Sequence, residues 1–106
     1  MIDINNYPNI EERLKTPFVR DFIIQEGTES RFYRLSGHNE NWSIIKYLLQ
    51  KTILDLNTWI EFKIRPHRGW KITKIKTHFG LKGHSVKCLE QLKSLTLEIE
   101  DIIAKH

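Results

Sequence analysis

The clearest periodic pattern in the chain lies between Asn39 and Leu56. Trp42, Ile45, Leu49, Thr52 and Leu56 recur at steps of 3, 4, 3 and 4, and Leu48 and Ile53 widen the stripe as a core-facing helix requires. Asn39 or Asn41 offers a cap and Asn57 a stop. A second helix is predicted from Ser85 to about Ala104, where Cys88, Leu92, Leu95, Ile99 and Ile102 repeat at steps of 4, 3, 4 and 3. Two heptads are short for an autonomous coiled coil, so this stripe is expected to pack on a sheet, with a dimer seam as the alternative.

Alternating positions predict strands elsewhere. Thr58, Ile60, Phe62 and Ile64 fall on one side of a strand over 58–64, leaving Trp59, Glu61, Lys63 and Arg65 on the other. Pro66-His67-Arg68-Gly69 turns the chain, and Trp70 to about Lys76 returns as a second strand with a bulge, because Ile72 and Ile75 break the alternation. Residues 18–25 and 30–35 form an earlier hairpin about Glu26-Gly27-Thr28-Glu29, with Phe18, Phe22 and Ile24 sharing a face. The competing reading of that stretch takes Thr16-Pro17 as an N-cap and N1 pair opening a helix. Asn9 is a cap for a short helix over 10–15, with Ile10 and Leu14 on one face.

Together these elements predict an α+β domain: an antiparallel four-stranded sheet carrying two long helices on one face, in ββαββα order after the short N-terminal helix. A weak internal similarity agrees with it. Tyr33-x-Leu35-x-Gly37-His38 precedes the first long helix and Phe79-x-Leu81-x-Gly83-His84 the last, 46 residues later. At 106 residues with 40% hydrophobic content, residues 1–106 make one domain. The single cysteine excludes an internal disulfide and a CxxC motif, which makes a reducing cytoplasm the expected setting. Neither a signal-like opening nor an apolar run of membrane-spanning length is present in the sequence.

Charge changes the picture more than composition does. The net charge is only +4, but residues 58–88 hold eight cations against one acid, a local +7, whereas the flanks net −3. In the predicted hairpin Trp59, Lys63, Arg65, His67, Arg68, Trp70, Lys71 and Lys74 share an outer face or its turn. Cations neutralise phosphates and exposed rings stack on unpaired bases, so the expected function is binding of nucleic acid, preferably RNA or a single strand. The alternative is a non-enzymatic adaptor or inhibitor whose basic face docks on an acidic protein surface, since Trp and Arg are also the usual protein-interface anchors.

Other chemistry is thinly represented. Ile75, Gly80, Leu81 and Val86 loosely fit a helix-turn-helix over 75–86, although Lys76 is too large for the close crossing and Gly83 weakens the second helix. His78, His84 and Cys88 lack a fourth metal ligand, and Cys88 sits on the apolar stripe, so no metal or other cofactor is expected and the thiol should be buried. The carboxylates Asp21, Glu26, Glu29 and Glu40 are scattered, and Ser36 beside His38 is no triad, so the chain is not expected to be an enzyme.

Overall fold

A computed structural model describes residues 2–21, 23–25, 32–35 and 42–105. In chain order the elements are strand β1 (Ile2–Asp3), a 3-10 turn (Ile4–Asn6), α1 (Pro8–Glu12), α2 (Pro17–Arg20), β2 (Ile23–Gln25), β3 (Phe32–Leu35), α3 (Trp42–Phe62), α4 (Ile72–Phe79) and α5 (Ser85–Lys105). The short strands form a small antiparallel sheet in the order β1-β3-β2, with Ile2 opposite Tyr33 and Ile24 opposite Arg34. Helices dominate, and the expected four-stranded sheet is not formed.

The failure of that expectation has a local cause. Thr58–Ile64 does not start a strand, because α3 runs through Asn57 to Phe62. Thr52, Leu56, Trp59 and Ile60 continue the helical spacing across the supposed stop, and the Thr58 hydroxyl donates to the Leu54 carbonyl within the helix. Alternation at four positions is too short to overrule a helix already sixteen residues long at Asn57. The second predicted strand is α4, where Ile72, Ile75 and Phe79, at steps of 3 and 4, line one helical face. The irregular spacing that suggested a bulge was therefore the helical signal itself. Pro66–Gly69 does turn the chain, with the Trp70 amide donating to the His67 carbonyl at 3.2 Å, but it joins two helices.

Both readings of the 18–35 stretch apply, to different parts. Thr16 is extended and Pro17 opens α2, while β2 and β3 pair antiparallel. Phe18 is a buried helical residue and so shares no strand face; the side chains of Phe22 and Ile24 lie outside the described residues, as do residues 36–41 with both predicted α3 caps. The first helix begins at Pro8, not after Asn9, and is complete by Glu12. The 46-residue similarity does not mark a structural repeat, since Tyr33 is in a strand and Phe79 in a helix.

Helix α5 is the centre of the core. Cys88, Leu92, Leu95, Ile99 and Ile102 are fully buried, and α3 and α1 pack upon them through Leu49, Leu56 and Ile10. The stripe is thus used within the chain, against helices instead of a sheet. Charged side chains tie the short N-terminal elements to α5. Glu98 accepts from the backbone amides of Asn9 and Ile10 at 3.1 Å, and from the Asn9 side chain, so it supplies the cap that α1 lacks locally. Arg13, buried at 3% exposure, donates to the Asn9 carbonyl at 2.8 Å and to Gln91 Oε1 at 3.0 Å.

Candidate nucleic-acid interface

The basic block folds as the α3–α4 connection, α4 and the turn into α5. Lys63 ends α3 in the left-handed region, with φ of 56°, and its amide still donates to the Trp59 carbonyl at 3.0 Å. Leaving the helix there directs the chain into Ile64–Lys71. Lys63, Arg65, His67, Arg68, Lys71 and Lys74 are all exposed, and no described acid pairs with the five Lys and Arg among them. The cations expected on a hairpin face are exposed, but a loop and a helix carry them.

The tryptophans are placed differently. Trp70, expected on the outer face, is a core residue at 5% exposure. Its indole meets that of Trp59 at a centroid distance of 5.5 Å and an interplanar angle of 44°, and Trp59 is half-buried against the core. The Trp70 Nε1–H is buried without an acceptor among the described residues. Conversely, Phe62 and Ile64, expected inside, are 63% and 62% exposed. Reading the segment as a strand inverted these positions, because a side chain that alternates out on a strand falls anywhere around a helix.

Two recesses flank Trp70. One, of about 200 Å³, lies between Trp59, Arg65, Lys71 and Ile72. The other, of about 410 Å³, is a groove between α3 and α4 with Leu48, Ile75 and Phe79 in its walls and Lys51, Asp55, Lys71 and Lys74 beside them. In the smaller recess, apolar walls with Arg65 and Lys71 at the edge suit an anion that carries a flat or apolar body.

The helix-turn-helix reading meets a mixed outcome. A helix, a turn with Gly80 at φ 68° and a second helix do follow one another, and Leu81 is buried. Gly80 is required there, because an added Cβ would come within 2.5 Å of Thr16 Cγ2. Val86, which the motif needs between its helices, is 47% exposed, and α5 is the central core helix instead of one free to project into a groove.

His78 is wedged beside Phe79, ring centroids 4.8 Å apart, with Phe18 at 5.9 Å. Cys88 lies in the core with its thiol 3.5 Å from the Gly83 carbonyl; burial pushes its pKa up, and the Lys76 charge pulls weakly the other way. Among the described residues no group of three His, Cys, Asp or Glu converges as a metal site, and no helix is long and apolar enough to cross a membrane.

Sequence reasoning missed two features. One is the set of polar anchors to α5 from Tyr7, Asn9 and Arg13, whose partners are 78 to 94 residues away. The other is a second apolar face on α3, where Ile44, Tyr47 and Leu54 are each about two-thirds exposed. Helical spacing of Ile44, Leu48 and Phe62 carried that signal, hidden once the helix was ended at Asn57. Comparisons with protein-family models, curated proteins and solved structures return no match for this chain.

Proposed function

We propose that the protein binds single-stranded nucleic acid through the α3–α4 connection and the start of α4. The observation that carries this reading is the run of exposed cations Lys63, Arg65, Arg68, Lys71 and Lys74, none paired with a described acid. Exposed cations close together in the chain attract phosphates and release their counterions. Trp59, half-buried beside the 200 Å³ recess with Arg65 and Lys71 next to it, is the ring left for base stacking. Trp70 serves the fold and is removed from the contact surface.

The test is a titration with single-stranded RNA, single-stranded DNA and duplex at several salt concentrations, read through tryptophan fluorescence. Contact with five phosphates of a single strand gives a slope of log affinity against log salt of about −3.5. Trp59→Ala weakens single-strand binding by about 1–3 kcal/mol. Affinity retained after Lys63, Arg65 and Lys71 are together replaced by Gln overturns the reading, as does the absence of any response to all three ligands.

One observation favours an acidic protein surface as the partner instead: Phe62 and Ile64 stand exposed beside the same cations. A pull-down treated with nuclease separates the two, because a protein partner survives digestion of nucleic acid.

A further inference from the structure

Helix α3 carries a buried apolar face and a second row that is apolar towards its ends and charged at its centre. Leu49, Thr52 and Leu56 are buried against the rest of the chain, and a second row, Ile44, Leu48, Lys51, Asp55, Thr58 and Phe62, repeats at steps of 4, 3, 4, 3 and 4. At about 100° per residue that row stays within roughly 80° of arc over a length of about 27 Å. Its apolar members are exposed, Ile44 64%, Leu48 38% and Phe62 63%, with Tyr47 and Leu54, at 64% and 66%, along one flank, while Lys51 at 46% and Asp55 at 19% stand at the edge of the α3–α4 groove. A 3.5-residue repeat is the spacing by which one helix meets another along its whole length.

Reversed, the row matches itself at its apolar ends and complements itself in charge at its centre. About a point near residue 53, Ile44 mirrors Phe62, Leu48 mirrors Thr58 and Lys51 mirrors Asp55. Two copies of α3 crossing antiparallel about a two-fold axis therefore set Lys51 against the partner's Asp55, and Asp55 against the partner's Lys51. The large apolar ends meet Ile44 to Phe62, and Leu54 flanks the crossing on one side. An isologous interface demands such self-complementarity, and a parallel arrangement would instead put like charges together. The Lys51–Asp55 pair within one chain, at 3.8 Å with Lys51 46% exposed, leaves the ammonium free to serve a second carboxylate.

We infer that a second copy of this chain covers the outer face of α3, forming an antiparallel homodimer held by that row. The row borders the α3–α4 groove, where Leu48, Lys51 and Asp55 stand with Lys71 and Lys74, but it is read by self-association alone, so the inference does not rest on the proposed nucleic-acid binding. Light scattering on the unaltered protein should give twice the 12.7 kDa of the chain. Lys51→Glu alone and Asp55→Lys alone each set like charges across the seam, and each should weaken self-association at least tenfold. An equimolar mixture of the two variants restores opposite charges at both crossings, so it should recover a heterodimer with the wild-type midpoint. A wild-type chain that remains at 12.7 kDa up to millimolar concentration overturns the inference. So do variants that associate as the wild type does, or a mixture that fails to recover. Circular dichroism checks their folding; if either variant does not fold, the wild-type mass together with Leu54→Lys, expected to be monomeric, decides.

Discussion

Helices α3 and α5 are the same length, twenty-one residues each, yet they meet their surroundings differently. In α5 the apolar side chains are gathered into one stripe with five fully buried members, and only Val86 and Leu97 are large apolar residues left exposed on its other side. Its stripe is satisfied by α3 and α1 from the same chain. Helix α3 buries Leu49, Thr52 and Leu56 on α5, and on its other side leaves Ile44, Tyr47, Leu54 and Phe62 exposed among the described residues. A helix with one stripe needs one neighbour, and the exposed apolar residues of α3 are what the proposed second copy would cover.

The strongest way to break that comparison is a matched truncation. Leu95→Ala in α5 should cost about 2–5 kcal/mol, the usual loss for a fully buried leucine. Leu54→Ala in α3 should change the stability of the isolated chain by less than about 0.5 kcal/mol, while weakening self-association. Urea unfolding at low protein concentration measures both, and equal losses would mean that the outer face of α3 is not a free surface.

Next in size is the tie from α5 to α1. Glu98→Ala should cost about 1–3 kcal/mol, since the Asn9 and Ile10 amides lose their acceptor in a part-buried position. Hydrogen exchange at those two amides should accelerate ahead of exchange in the centre of α5. Uniform acceleration would show that α1 and α5 open as one unit.

Tyr7 tests the other end of the same tie. Its hydroxyl donates to Asp101 Oδ2 at 2.8 Å, and burial first, then the Asp101 hydrogen bond and the Asp101 and Glu98 charges, push its pKa up to about 12. The unfolded chain loses this proton near pH 10 and the folded chain only near pH 12, so the contribution is complete below about pH 10 and falls as pH rises between those values. Tyr7→Phe should cost about 1 kcal/mol at neutral pH and flatten the alkaline part of the stability profile. A slope unchanged by the substitution would place the alkaline transition on another group.

The smallest effect is expected at the end of α3. Lys63 holds a φ of 56°, which glycine adopts freely, so Lys63→Gly should raise stability by up to about 1 kcal/mol. The same change removes one cation from the proposed interface and should make the salt slope shallower by about 0.7. Thermal unfolding and the salt titration thus separate what Lys63 does for the fold from what it does for binding.

How much of this was readable in advance depends on how each signal is built. The bounds of α5, the turn at Pro66–Gly69 and the burial of Cys88 follow from local pattern, and the structure agrees with each. The cations also remain exposed, because ammonium and guanidinium groups keep to water whatever element carries them. The two tryptophans were different, since indoles are at home in either setting and only the surrounding packing assigns Trp70 to the core and Trp59 to its edge.

By itself, then, the sequence determined the amphipathic stripe of α5, the break between α3 and α4, and the position of the positive charge along the chain. The tertiary structure decided whether residues 58–64 and 70–76 were strand or helix, because short apolar runs satisfy either period until a neighbour selects a face. Helix α5 made that selection: it offers Leu92, Leu95 and Ile99 as a continuous apolar row. A helix of α3's length can lie along such a row and bury Leu49 and Leu56 there, leaving its own second row to water.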